Sequence, residues 1–255
     1  MTIEILARRE DGVLTLTFNR LERKNAINLA MYAALADALG EAGDDPSVRV
    51  AVIEGHETVF CAGNDLEDFL RRPPMDSGSP GLRFLHNISA FPKPLVAAVC
   101  GPAIGVGTTL LFHCDLVYAG DNATFSMPFV SLGLCPEAAS SLLAPRQLGY
   151  HHAAEMLLLG ESFSAAEALG RGLVNRVVPP SECKALAQTQ ARRLAAQPLT
   201  SLITTKRLMK GELQAAVHTR IDMEVVEFAR MLTEPAAREA MTAFLEKRAP
   251  DFSRF

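Results

Sequence analysis

The sequence predicts an α/β core followed by a helical tail. Short apolar runs bounded by turn residues, "VLTLTFN", "VRVAVIEG" and "PLVAAVC", read as buried strands. They alternate with segments of helical pattern over roughly the first 180 residues, and from Ser181 onward the pattern is almost wholly helical. The chain has 255 residues and is 49% hydrophobic, which suffices for a sizeable core in one large domain or one domain with an appendage.

Taken in order, "IEILARRE" and "VLTLTFN" flank Asp11-Gly12 and predict a hairpin. Asn28 is placed to cap a helix running to about Leu39. A strand follows at 48–55, and then "FCAGNDLEDFL" reads as a turn entering a short helix. The Pro, Gly and Ser content of 71–81, "RRPPMDSGSPG", predicts an irregular loop. A helix at about 82–90, a strand at 94–100 and a buried helix from Gly105 come next. "DLVYAG" and "ATFSM" add short strands, and Pro136 suits the first position of a helix over 137–148. "HHAAEMLLLG", "SAAEALGRG" and "VNRVVPP" give two helices and a strand, and helices are expected at 181–196, 200–209, 212–232 and 235–247.

The totals exclude several function classes. With 25 basic and 29 acidic residues the net charge is −4, so no basic surplus points to nucleic acid. Five scattered cysteines without a CxxC pair suit a reducing compartment. The N-terminal "MTIEILARRE" lacks a signal pattern, and the final "SRF" is a poor peroxisomal address, so a cytoplasmic location is expected. Leu95 to Cys114 holds no Lys, Arg, Asp or Glu and is long enough for a membrane span. Gly101-Pro102 breaks it, however, and broken backbone cannot face lipid, so no membrane partner is expected.

Some apparent motifs carry little. "GVGTTL" lacks the third glycine of a dinucleotide loop and the Lys of a phosphate loop, so its glycines read as sites of close backbone approach. His113, Cys114 and Asp115 are consecutive and cannot all point at one substrate, and no GxSxG elbow exists. His151 and Glu155 have helical spacing but no third metal ligand in view, so no metal is expected.

The specific signal lies in "FCAGNDLEDF" (60–69), read with "GPAIGVGTTLLFHCDLVYAGDNATFSMPFVSLGLCPEAASSLLAP" (101–145). Together these resemble the crotonase family of enoyl-CoA hydratases and isomerases, most nearly the peroxisomal-type Δ3,Δ2-enoyl-CoA isomerases. "REAMTAFLEKRAPDF" (238–252) resembles the family's tail, and the likeness covers nearly the whole chain. It implies an α/β crotonase (ClpP/crotonase-like) spiral of β-β-α units over 1–195 and a C-terminal helical trimerisation region over 196–255. Homotrimers or dimers of trimers are implied with it.

The resemblance also implies a site. Chemistry beside a thioester carbonyl makes an enolate, whose oxygen needs fixed donors. The backbone N–H groups of Asn64 and Val106 fall where the family places its oxyanion hole, with Gly63, Gly105 and Gly107 permitting the tight backbone. Ala62, Asp65 and Leu66 would line the CoA path, and Lys24 would lie near the adenine or phosphates. Lys247 and Phe228 would contribute from the tail, of the same or of a neighbouring subunit. Coenzyme A is then part of the substrate, an acyl-CoA, and no separate cofactor is expected.

Glu137 is the sole charged residue in "LGLCPEAASSLLAP". In the hydratases two glutamates share the acid–base work, and the matching positions here are Thr109 and Phe129. Neither is acidic, so both are expected to be inert as proton carriers. The peroxisomal-type isomerases carry one glutamate after the next turn, and Glu137 matches it. One base can take a proton from C2 and return it to C4, given an apolar wall such as Phe129, Leu132, Leu134 and Leu142. The competing reading is a first-turn glutamate that complements a helix dipole, worth about 0.3–1 kcal/mol. Other CoA-thioester reactions on the same scaffold, or a CoA-binding module without turnover, are the alternatives.

Overall fold

The computed structural model describes residues 3–65, 67–68 and 78–255. Leu66 and the 71–77 part of the expected loop lie outside the described residues. Strands β1 (Ile5–Glu10) and β2 (Val13–Phe18) pair antiparallel about Asp11-Gly12, whose positive φ values of 50° and 76° match the twist of a two-residue hairpin. Asn28 caps α1 (Leu29–Asp44) by accepting from the Met31 N–H at 2.9 Å, as its residue type predicts. The helix runs past Leu39 because its buried face continues to Ala42.

β3 (Val50–Glu54), β4 (Leu95–Val99), β6 (Leu116–Gly120) and β9 (Arg176–Val178) extend the sheet in parallel, in the order β1-β2-β3-β4-β6-β9. Sheet burial on both faces explains why β3 and β4 read as continuous apolar runs. On one face, α7 (Pro180–Ala195) lays Cys183, Ala187, Ala191 and Ala195 against Val50, Val52 and Val96. This helical spacing of small side chains lets helix and sheet approach closely. The other face packs on α1 and α2 (Pro80–Ala90), which begins two residues before the expected boundary with Pro80 in its first turn.

A second sheet of three strands joins β5 (Pro102–Ile104), β7 (Thr124–Ser126) and β8 (Phe163–Ser164) in the order β5-β7-β8. Between β5 and β6 the expected helix is one α turn, α3 (Val106–Thr109), continued by a 3-10 turn over Leu110–His113. A further correction falls at Glu137. The next helix, α4, spans Ser140–Leu148 and not 137–148, because Ala138 and Ala139 take left-handed φ values of 59° and 55°. Glu137 therefore sits on the turn before the helix, and the first-turn dipole reading does not apply to it.

After α5 (Tyr150–Ala154), a π turn at Glu155–Leu159, and α6 (Ala165–Gly170), the chain reaches the tail. The two helices expected at 200–209 and 212–232 are one, α8 (Leu199–Leu232). Gly211 lies in its middle and costs about 1 kcal/mol relative to Ala. Anchors on both sides of it carry the helix through: Lys206 Nζ lies 2.7 Å from Asp115 Oδ2, and Ile221 and Phe228 enter the main core. α9 (Pro235–Leu245) adds Ala237 and Met241 to that core. Among the described residues, no helix is long and apolar enough to cross a membrane.

Candidate active site

Two loops meet beside the end of the large sheet. The segment 61–65 follows β3, and the segment 104–107 follows β5. Cys61 pairs with Ala103 as an isolated parallel bridge, in which the Ile104 N–H donates to the Cys61 carbonyl at 2.9 Å. Gly107 permits the close fit: a Cβ there would stand 2.8 Å from the Cys61 carbonyl oxygen. Gly105 has φ 54° and ψ −119°, a conformation open in practice to glycine.

The consequence is a pair of directed donors. Asn64 forms a parallel bridge with Ile27, in which the Ile27 N–H donates to the Gly63 carbonyl at 2.8 Å and the Asp65 N–H to the Ile27 carbonyl at 2.9 Å. That register turns the Asn64 N–H to the opposite side. Val106 is the first residue of α3, so its N–H has no intrahelical acceptor. Neither N–H finds an acceptor among the described residues, although Val106 is fully buried. Buried N–H groups are almost always paired, so the Val106 N–H is suited to an incoming oxygen, and the half-buried Asn64 N–H is a second available donor.

Glu137 is 1% exposed. The Thr109 hydroxyl donates to its Oε1 at 2.5 Å. Burial pushes the Glu137 carboxyl up to about 7, against the Thr109 hydrogen bond, which lowers it, and with a further rise from the Glu224 charge. A carboxyl poised there can both take and return a proton near neutral pH. Thr109 does not replace the hydratase acid as a proton carrier; its hydroxyl binds the Glu137 carboxylate directly. Phe129 is buried and packs edge-on against Phe228, with ring centroids 6.4 Å apart. Leu134 is buried, and Leu132 and Leu142 are partly buried against the same core.

The chain matches the family model described as enoyl-CoA hydratase/isomerase over residues 8–254. It belongs to the enoyl-CoA hydratase/isomerase family. It is 38% identical over 250 residues to Enoyl-CoA delta isomerase 2 of Rattus norvegicus, covering 95% of this chain and 64% of that protein. It is 37% identical over 257 residues to 1,2-epoxyphenylacetyl-CoA isomerase of Escherichia coli (strain K12), covering 98% of each. A solved enoyl-CoA hydratase/isomerase from Pseudoalteromonas atlantica T6c superposes with a TM-score of 0.94 at 41% identity, covering 98% of this chain and all of that one. The fold is the crotonase fold, mixed α/β with a helical C-terminal region.

Of the family-type site residues, Gly63 lies against the Ile104 carbonyl and Gly107 against Cys61, so the two glycine-bearing segments are neighbours. Lys24 reaches this group through its backbone: its carbonyl accepts from the Ala62 N–H at 3.1 Å, while its side chain is exposed. Asp65 is tied into its own loop. Its Oδ2 accepts from Arg20 at 2.7 Å and its Oδ1 from the Glu67 and Asp68 N–H groups. Burial raises its carboxyl, but these bonds outweigh that and hold it below the ordinary value. Asp65 is a brace for the loop, on the wall of a cleft of about 560 Å³ that Arg20, Arg23, Asn28, Glu67 and Pro80 also line. Glu137 is not on that wall. Lys247 is exposed just after α9, where its N–H donates to the Phe244 carbonyl at 3.2 Å.

Three contributors were not anticipated. The Tyr32 hydroxyl donates to Asn64 Oδ1 at 2.6 Å, and burial followed by the Glu137 charge raises its phenol well above the usual value. Its only signal in the sequence is a place on the buried face of α1. His113 Nε2 donates to the Ala138 carbonyl at 2.8 Å, and burial lowers its imidazole to about 4, so the ring is neutral. Glu224 accepts from the Ala139 N–H at 2.6 Å across 85 residues of chain, which no local pattern reports.

Proposed function

We propose that the protein is an enoyl-CoA isomerase that moves a C3=C4 double bond to C2=C3. The observation that carries this reading is the buried Glu137 carboxyl, poised near 7 and hydrogen-bonded to Thr109. Thr109 occupies one of the two positions where hydratases resemble one another in carrying glutamate, and Phe129 occupies the other. A 1,3-proton shift needs a single base, whereas addition of water needs a held water and two proton transfers.

In the proposed reaction the thioester oxygen accepts from the Asn64 and Val106 N–H groups. Glu137 removes a C2 proton, the electrons of that C–H bond form the C1=C2 bond of a dienolate, and the C1=O π electrons move onto the oxygen. As the carbonyl re-forms, the C1=C2 pair shifts to C2=C3 and the C3=C4 pair becomes the new C4–H bond. C4 thus takes the proton back from Glu137, and the carboxylate is regenerated. The apolar surround of Phe129, Leu134 and Phe228 keeps bulk water from competing for the proton.

Acyl-CoA thioesters are the proposed substrates. Comparable kcat/KM for a free enoic acid and its CoA ester would contradict this. Leu208, Met209, Met223, Val226 and Phe244 stand exposed on the C-terminal helices, which supports the proposed assembly into trimers or dimers of trimers through 196–255. A concentration-independent monomer in light scattering would overturn that part. The reaction itself is tested by following trans-3-enoyl-CoA and trans-2-enoyl-CoA spectroscopically. Conversion of the first without hydration of the second is expected, and rapid hydration with no isomerisation contradicts the reading.

A further inference from the structure

The turn that carries Glu137 is strained, and two side chains from elsewhere in the fold hold it. Ala138 and Ala139 both take left-handed φ values, 59° and 55°, in consecutive positions. That conformation persists in residues with a Cβ only when the surroundings over-determine it. On one side the neutral His113 ring donates to the Ala138 carbonyl at 2.8 Å. On the other, Glu224 of α8 accepts from the Ala139 N–H at 2.6 Å through Oε2, and from the Ser141 N–H at 3.1 Å and the Ser141 hydroxyl through Oε1.

Glu224 thereby caps α4, whose N-cap residue, Ala139, supplies no side-chain bond. A Ser or Asp at 139 is the ordinary local means of capping. This fold uses a carboxylate that is 6% exposed and comes from another helix, although an uncompensated buried charge is costly. Arg220, on the same helix, gives its Nη1 hydrogen bond to the Ser141 hydroxyl at 2.9 Å. That carboxylate is bonded to the N–H groups of Ala139 and Ser141, two and four residues after the base.

We propose that Glu224 is a positioning residue for the isomerisation: by holding the Ala138–Ala139 turn it aims the Glu137 carboxylate at Thr109 and the substrate. The proposal rests on the reading of Glu137 as the base. The groups facing Glu137 are Thr109 of α3, Glu224 of α8, and Tyr32 of α1 and Cys61, whose phenol and thiol both feel its charge. Those facing Glu224 are Ser141, Arg220, Glu137 and Cys135, whose thiol donates to the Glu224 carbonyl at 3.7 Å. Burial raises the Glu224 carboxyl, against its bonds to Ser141 and Ala139 and the nearby Arg220 charge, which lower it; Tyr32 and Cys61 are neutral at physiological pH, so ionised Glu224 is the second negative charge beside the base.

The test compares wild type, Glu137→Gln, Glu224→Gln, Glu224→Asp and Ser141→Ala with a 3-enoyl-CoA substrate between about pH 5 and 9. Glu224→Gln is expected to lower kcat by about ten- to a hundredfold with KM within about threefold. With the second charge gone, the acid limb of kcat/KM moves to lower pH by about half a unit or more. Glu224→Asp keeps the charge but withdraws it by one methylene, so kcat falls while the limb stays in place. Ser141→Ala, which keeps both backbone bonds, carries the test if Glu224→Gln does not fold, and loses about three- to tenfold in kcat. A cap with no catalytic consequence would lower Tm and leave kcat and the limb unchanged in every variant that folds, and that result overturns the proposal. If Glu137→Gln is inactive while the Glu224 and Ser141 variants match wild type, the Glu224 assignment alone falls. If Glu137→Gln is itself fully active, both fall.

Discussion

Thr109 donates its hydroxyl hydrogen to Glu137 at 2.5 Å, and both side chains are buried. The bond lowers the carboxyl's affinity for a proton and partly offsets the rise caused by burial. Thr109→Val keeps the shape and removes the donor. The acid limb of kcat/KM is then expected to move to higher pH, with about three- to tenfold lower kcat/KM at pH 7 that recovers in more alkaline buffer. A pH-rate profile checks this, and a limb at the wild-type position would show that the hydroxyl does not tune the base.

Glu137 also ties stability to pH. Its folded carboxyl is raised from the ordinary 4.5 to about 7, so between those values the folded state binds more protons than the unfolded one. The stability associated with the protonated form is present below the unfolded value and is lost as pH rises through about 7. Glu137→Gln removes that loss. The variant should be more stable than wild type at pH 8 by about 1–3 kcal/mol, with the gap closing below about pH 4.5. Urea unfolding at the two pH values measures it, and a constant difference would contradict the shift.

Gly107→Ala places a Cβ 2.8 Å from the Cys61 carbonyl oxygen and 2.9 Å from the Cys61 Cβ. Backbone must move to accommodate it, so the two donor loops separate. Overpacking of this kind costs about 1–3 kcal/mol. The expected outcome is a lower Tm together with a loss of kcat larger than about tenfold, because the backbone that carries the proposed Asn64 and Val106 donors is displaced. Retained kcat in the folded variant would mean that the fit of 105–107 against 61–64 does not set the donor geometry.

Tyr32→Phe leaves the packing of α1 on α2 in place, where the Tyr32 and Phe84 rings lie 5.6 Å apart, and removes the 2.6 Å bond to Asn64. A fall in kcat of about three- to tenfold with a near-native Tm is expected. Unchanged kinetics would place the Asn64 N–H under the control of the backbone alone.

The fold was legible where periodicity and turn chemistry act locally. Asp11-Gly12, the Asn28 cap and the apolar runs of β3 and β4 are each set by neighbours in sequence. The short strands β5 and β8 were not legible, because two or three residues give no period and their partners lie elsewhere in the chain. Pro136 suggested a helix start that the structure moves to Ser140, since bonds from His113 and Glu224 hold the intervening turn left-handed. The same cause hid these two residues from the sequence reading of the site. The resemblance to the crotonase family led to Glu137, Asn64 and Val106, but long-range contacts determine what surrounds them. Gly211 misled in the opposite direction, because tertiary anchors on either side override its local preference.

The most direct test of the account is the turnover of a 3-enoyl-CoA by Glu137→Gln, measured with CoA-ester binding to the same variant. The amide keeps the size of the side chain but cannot accept the C2 proton. The account predicts binding within about threefold of wild type and a loss of kcat of about 10²–10⁴, with residual rate from the backbone donors at Asn64 and Val106. A variant that folds, binds the ester and turns over at close to the wild-type rate would contradict it.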